Sequence, residues 1–189
     1  MKTFLKILIL SLFLITSSKA DDIRDFEIEG ISIGDSALDY FSEKDIKKNA
    51  KTGYKKKDFT KVENLNYPLS KDYYGINFNF KTGDPEYKIQ SISGIIDYRN
   101  QSMSKCRKQL NEIYNEILKM FPKWNKNPIT TNIHPADPSG KSTDTWGGFF
   151  SDTGSITVGC LDYSKETLPN SKNHLDISIR TKEFNKFLG

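Results

Sequence analysis

A chain of 189 residues with 36% hydrophobic and 28% charged side chains is long enough to bury a sizeable core and too well patterned for a disordered tail. Its formal charge is +4, but Lys2, Lys6 and Lys19 fall within the first twenty positions, which hold no acid. Residues 21–189 therefore carry 25 basic against 24 acidic side chains. A near-neutral balance excludes a generally basic nucleic-acid-binding protein, and no nucleic-acid partner is expected. Lys outnumbers Arg by 24 to 4 across the whole chain, so a local Lys cluster is weaker evidence of function than it would otherwise be.

The first segment has the layout of a cleavable secretory signal: a basic start at 1–6, an apolar run at 7–16 and a small-residue exit at 17–20. Ser18 and Ala20 occupy the positions where signal peptidase requires small side chains, so cleavage after Ala20 is expected. The apolar run is about half the length of a bilayer-spanning helix, no Cys follows it to carry a lipid, and no later stretch is apolar enough to span. The expected organisation is a signal peptide at 1–20 and one α+β domain at 21–189, periplasmic or secreted.

Residues 26–33 alternate apolar and polar side chains and read as a short strand broken by Gly34 and Asp35. Ser36 with Asp39, and Ser42 with Asp45, have N-cap spacing and predict two short consecutive helices. Residues 49–66 are Lys-rich and weakly patterned. Residues 74–81 alternate cleanly, with Ile76, Phe78 and Phe80 inward, and residues 82–85 form a turn. Residues 87–98 read as a long strand whose apolar parity shifts between Ile89 and Ile92, the mark of a bulge there or at Gly94.

From Met103 the apolar positions run Met103, Cys106, Leu110, Ile113, Ile117, Met120, in steps of three and four, giving one long amphipathic helix over 102–121 that Pro122 ends. Residues 123–144 are polar, contain Pro128, Pro135 and Pro138, and read as a long ordered loop. Residues 146–150 and 155–163 form a hairpin, 174–181 a final alternating strand, and 182–189 a short tail whose Phe184 and Phe187 dock. Strands joined by short turns imply antiparallel pairing. The fold class is α+β: antiparallel sheet, one long helix and two short N-terminal helices, in two helix-then-strands units at about 26–98 and 102–187.

Cys106 falls on the buried stripe of the long helix, and Cys160 on the inward face of a strand, alternating with Thr157 and Gly159. Two inward-facing thiols in an oxidising compartment favour a disulfide. Closing that loop is worth about 4 kcal/mol in the chain-entropy model.

Several motifs invite a catalytic reading. Gly34-Asp35-Ser36-Ala37-Leu38 resembles the first block of the GDSL (SGNH) esterases, which would make Ser36 a nucleophile. That chemistry needs a positioned base, and neither the D-x-x-H nor the G-x-N-D block of that family occurs here. Asp152-Thr153-Gly154 matches an aspartic-protease string but has no second copy, and a tight turn accounts for it. Gly140-Lys141-Ser142-Thr143 ends like a phosphate-binding loop, with Pro135 where the first Gly belongs.

Lys47, Lys48, Lys51, Lys55, Lys56, Lys57 and Lys61, flanked by Tyr54 and Phe59, form a candidate patch for anionic surfaces. The 123–144 segment, with Trp124, His134 and Asp137 and with Trp146 nearby, is the candidate ligand-facing loop. Two His with no free Cys make a weak ligand set, so no metal and no cofactor are expected.

Phe26-Glu27-Ile28-Glu29-Gly30-Ile31-Ser32-Ile33-Gly34-Asp35-Ser36-Ala37-Leu38-Asp39-Tyr40-Phe41-Ser42 and Ile177-Ser178-Ile179-Arg180-Thr181-Lys182-Glu183-Phe184 resemble the opening and close of uncharacterised small exported proteins of marine alphaproteobacteria. That family carries no activity over. Gly30-Ile31-x-Ile33-Gly34-x-Ser36 leading into a helix also resembles the start of SmpA/OmlA (BamE-like) envelope domains. This second resemblance implies a helix pair followed by an antiparallel sheet that serves binding or scaffolding, without the lipobox Cys of those domains.

The expected function is a non-catalytic binding or envelope-associated module. Its partner would be another envelope protein or an anionic surface. The alternative is a small periplasmic hydrolase with a GDS-type serine. Denatured without reductant, the protein should show no titratable thiol in a chromogenic assay; two thiols would rule out the disulfide.

Overall fold

The computed structural model describes residues 22–51, 54–65 and 73–189; the leader and the expected cleavage after Ala20 lie outside the described residues. The chain runs α1 (Glu43–Asn49), β1 (Ala50–Lys51), β2 (Phe59–Leu65), β3 (Gly75–Lys81) and β4 (Ile89–Asp97). A second series follows: α2 (Met103–Met120), β5 (Asn125–Ile133), β6 (Thr143–Phe150), β7 (Gly154–Asp162), β8 (His174–Thr181) and α3 (Lys182–Leu188). Two helix-then-four-strand series thus follow one another. Their strands share one eight-stranded sheet in the order β1-β2-β3-β4-β8-β7-β6-β5, with every neighbouring pair antiparallel. The two meanders meet at β4 and β8, which pair in unbroken register from Ser91↔Arg180 to Asp97↔His174.

Alternation decides which face each strand buries. Ile76 and Phe78 of β3, Ile92 of β4, Leu175, Ile177 and Ile179 of β8, and Ile156, Val158 and Cys160 of β7 point to one side and form the core. Over β6–β8 this side is covered by α2, whose Met103, Cys106, Leu110 and Ile117 are buried. The helix comes close because β6 carries Gly147 beneath it: a Cβ there would lie 2.7 Å from the Tyr114 ring. The expected Cys106–Cys160 disulfide is present and ties α2 to β7 across 54 residues. Over the other half of the sheet the cover is the N-terminal segment and α1, through Ile28, Ile31, Ile33, Phe41 and Ile46. Gly34 donates its N–H to the Ile89 carbonyl (2.9 Å), and Ile89 donates to that of Asp35 (2.9 Å), which anchors this segment to β4.

Several local expectations hold. Ser42 caps α1, its Oγ accepting from the Asp45 N–H at 3.1 Å. The parity shift in β4 is a bulge, since Asn79 pairs with Ser91 but Phe80 with Ile89, leaving Gln90 extra. Others are corrected. Residues 26–33 are not a strand but a tight turn closed by an Ile28–Ile31 bridge, with Glu29 (φ 55°) and Gly30 (φ 75°) left-handed. Ser36 starts a single 3₁₀ turn, Ala37–Asp39, rather than an α-helix. The Lys-rich 49–66 stretch contains β1 and β2. Half of the 123–144 segment is strand: β5 is the sheet's edge, exposed on both faces apart from a half-buried Ile129, so it lacks the alternation that announces a strand. Its Pro128 sits at a bulge between Asn127 and Thr130, where a missing N–H is tolerated. The tail is a helix, α3, capped by the Thr181 hydroxyl accepting from the Phe184 N–H at 3.1 Å.

Two glycines should respond oppositely to added bulk. A Cβ at Gly154 would lie 2.1 Å from the Arg180 carbonyl oxygen, so backbone must move. Gly75 has open space around it. Urea denaturation should show Gly154→Ala destabilised by about 1–3 kcal/mol and Gly75→Ala stabilised by about 0.4–1 kcal/mol.

Candidate functional site

The face of the sheet turned away from α2 carries short polar side chains in register. One row is Asn77–Ser93–Ser178–Thr157, read across β3, β4, β8 and β7. The next is Lys61–Asn79–Ser91–Arg180–Ser155, and on the other side lies Ile95–Asp176–Gly159–Trp146. A cleft of about 500 Å³ lies over these rows, bounded at one end by Tyr54, Phe184 and Leu188 and reaching Trp146, Asp144 and His174 at the other. The first wall is aromatic packing: Phe59 lies 5.0 Å from Phe184 and 4.7 Å from Phe187, and Tyr54 stands edge-on to Phe187 at 5.0 Å. Asn185 of α3 donates its amide to the Ser155 Oγ at 2.9 Å, which pins the helix to the floor.

Hydrogen bonds orient the floor. Ser178 donates its hydroxyl to Asp176, so in the 2.5 Å Ser93–Ser178 contact it is Ser93 that donates. The chain Ser93→Ser178→Asp176 leaves the Ser93 oxygen as an acceptor towards the cleft. At the opposite end Tyr54 donates to the Asn79 Oδ1 at 2.9 Å, leaving the Asn79 amide as the donor. Gly159 keeps the floor low between Trp146 and Asp176, because a Cβ there would lie 3.0 Å from that of Trp146.

The charges separate along the cleft. Arg180 is half-buried and has no acid within ion-pair distance among the described residues. Burial raises the neighbouring Tyr54 phenol above its ordinary value, and Arg180 opposes that rise. At the far end neither Asp144 nor Asp176 has a Lys or Arg partner among the described residues, and the Asp144 Oδ1 is sealed from solvent without a hydrogen bond. Burial raises the Tyr163 phenol, and both carboxylates push it further. Among the described residues no group of three or more His, Cys, Asp or Glu is placed to hold a metal.

The four residues singled out around the 123–144 segment do not converge. Trp124 is buried beside Phe121 with ring centroids 4.5 Å apart. The His134 ring packs on Tyr163 at 5.1 Å. Only Trp146 lines the cleft. Asp137 is 2% exposed and acts as a structural tie. It accepts from the Ser139 N–H (3.1 Å) and from the hydroxyls of Ser139 (2.5 Å), Ser142 (2.6 Å) and Thr167 (2.6 Å), joining the β5–β6 and β7–β8 connections. The Ser36 hydroxyl donates to the Glu86 carbonyl at 2.7 Å and caps its own 3₁₀ turn, so its proton is committed to a backbone oxygen.

The Lys patch divides. Lys47 pairs with Glu43 (2.8 Å), while Lys51 (3.3 Å) and Lys61 (2.5 Å) share Glu63, whose carboxyl Lys61 holds below its usual range against the cost of burial. Lys48, Lys55, Lys56 and Lys57 are exposed, and none has an ion-pair partner among the described residues.

The cleft was not visible as a site in the sequence, because neither β2 nor the β4–β8 pairing was. A signal existed nonetheless: most outward positions of three strands hold short polar side chains, Asn77, Asn79, Ser91, Ser93, Asp176 and Ser178, with Lys81 and Arg180 as long charged exceptions.

The hydrogen bonds of Ser139, Ser142 and Thr167 hold the Asp137 carboxyl well below the usual carboxylate range. A depressed carboxyl contributes stability that is present above its unfolded value, about pH 4, and lost as pH falls through the folded one. Thermal melts should show Asp137→Asn less stable than the wild type at pH 7, with the gap narrowing steadily below pH 4. No family model, curated protein or solved structure matches the chain.

Proposed function

We propose that this is an exported binding module whose working surface is the polar face of its sheet turned away from α2. The observation that carries the reading is the cleft itself: the sheet face turned away from α1 and α2 is closed at one end by α3 and elsewhere holds a cleft floored by oriented hydroxyl and amide groups and lined by Trp146, Tyr54 and Arg180. Short polar side chains on a rigid sheet suit recognition. Their hydrogen-bonding directions are set before a ligand arrives, so little ordering entropy is spent on binding. The Ser93→Ser178→Asp176 chain is a proton-ordered array with no His in it, which fits binding better than nucleophilic chemistry.

Export is supported by the signal-like leader and by a disulfide that needs an oxidising compartment. Among the described residues no helix is long and apolar enough to cross a membrane. The GDS-type hydrolase reading, with Ser36 as nucleophile, has less behind it, since that hydroxyl is tied to the Glu86 carbonyl.

A fragment screen tests the reading. Isotope-labelled protein titrated with amino acid, dipeptide, saccharide and aromatic fragments should show amide shifts concentrated at Asn77–Asn79, Ser91–Ser93, Trp146 and Asp176–Arg180. Ser93→Trp, which fills the floor, should abolish them. Shifts that cluster elsewhere, or that survive Ser93→Trp, would remove the cleft as the working surface.

A further inference from the structure

The cleft is electrically two-ended, and its two ends call for different chemistry. At one end stands the half-buried Arg180, with Lys61 three strands away in the same row; Lys61 shares Glu63 with Lys51, while the guanidinium has no acidic partner within ion-pair distance among the described residues. A planar guanidinium fits a carboxylate through two parallel hydrogen bonds. At the other end Asp144 and Asp176 lack Lys or Arg partners among the described residues, and Trp146 lies across Gly159 from Asp176. Two carboxylates beside an aromatic wall suit a Lys or Arg side chain, whose charged head meets the acids while its hydrocarbon stem lies on the ring. Arg180 and Asp176 stand on the same face of β8 four residues apart, which is about 13 Å at strand rise. An extended ligand chain advances at the same rate, so side chains four positions apart on it match the two ends. Between them lies the half-buried Ser93, whose hydroxyl oxygen can accept from a main-chain amide.

Resting on the cleft being the working surface, we infer that its ligand is an extended segment of a partner protein that sets an acidic side chain against Arg180 and a Lys or Arg about four residues away against Asp176 and Asp144. The charge separation selects composition and the strand spacing selects register. Either chain direction satisfies both.

Panning a displayed library of random twelve-residue peptides against the immobilised full chain tests this. Binders displaced by the Ser93→Trp block should be enriched in an acid and a base three to five positions apart. A synthetic binder should weaken at least tenfold towards Arg180→Gln and towards Asp176→Asn, neutral changes chosen to leave folding intact, which intact disulfide and circular dichroism confirm. Arg180→Glu should shift selection to peptides with two bases and no acid. Cleft-directed binders without the acid–base pair overturn the inference and leave the binding face standing. Purely acidic peptides indifferent to Ser93→Trp overturn it by placing recognition on the exposed Lys48 and Lys55–Lys57 stretch. No binder sensitive to Ser93→Trp also overturns it, and the fragment map then decides separately whether the binding face falls with it.

Discussion

The unbroken antiparallel seam between β4 and β8 is the constraint on which the rest of the structure depends. It joins two sequential meanders into one sheet, and its register sets what stands beside what on both faces. A slip of one residue would turn every side chain of one meander to the wrong side, bringing Ser178 and Arg180 into the core and Ile177 and Ile179 into water. The penalty falls on both faces together, which makes the register robust. The same seam aligns Ser93 with Ser178 and Ser91 with Arg180, so the polar rows of the cleft follow from a pairing that the core enforces.

Both faces use glycine to let an aromatic residue close in. Beneath α2, Gly147 lets the Tyr114 ring press onto the sheet, and the Cys106–Cys160 bond then fixes the helix to β7. On the far side Gly159 lets Trp146 close in on the strand beside Asp176, since a Cβ there would lie 3.0 Å from that of Trp146. One face is therefore committed to packing and covalently held, while the other keeps an arrangement of donors, acceptors and charge. The rigidity of the first lets the second hold its groups in place without a ligand. The α3 helix, resting on Phe59 and Tyr54, limits how far the open face extends.

How much was legible in the sequence depended on whether a residue's environment was one-sided. Strands β3 and β8 alternate because one face is buried and the other is not. The stripe containing Cys106 and Leu110 repeats at helical spacing for the same reason, so the disulfide could be read from two local patterns. β5 has water on both sides and Ile129 as its only partly buried residue, so no period marks it and its prolines suggest a loop. The turn at Ile28–Ile31 buries alternate residues without pairing as a strand, which imitates strand periodicity. Asp137 looked like a ligand-facing acid because sequence shows its type but not the three hydroxyls that saturate it. The cleft was illegible for a different reason. It is assembled from β2, β3, β4, β6, β7 and β8, and only the order of strands in the sheet brings Lys61, Arg180 and Asp176 to a common surface.

The bulge at Pro128 has a consequence for how the molecule behaves among its own copies. β5 is nine residues long and forms one margin of the sheet, an edge that another chain could extend. Pro128 deletes a donor from the middle of that strand, the register shift from Asn127 to Thr130 bends its line, and Lys126 adds charge. An incoming strand therefore meets an interrupted template. At the opposite margin β1 is two residues long among the described residues and pairs with Lys61 and Val62 of β2. Pairing of a second chain along the β5 rim is thereby disfavoured, so the sheet does not grow readily from that margin.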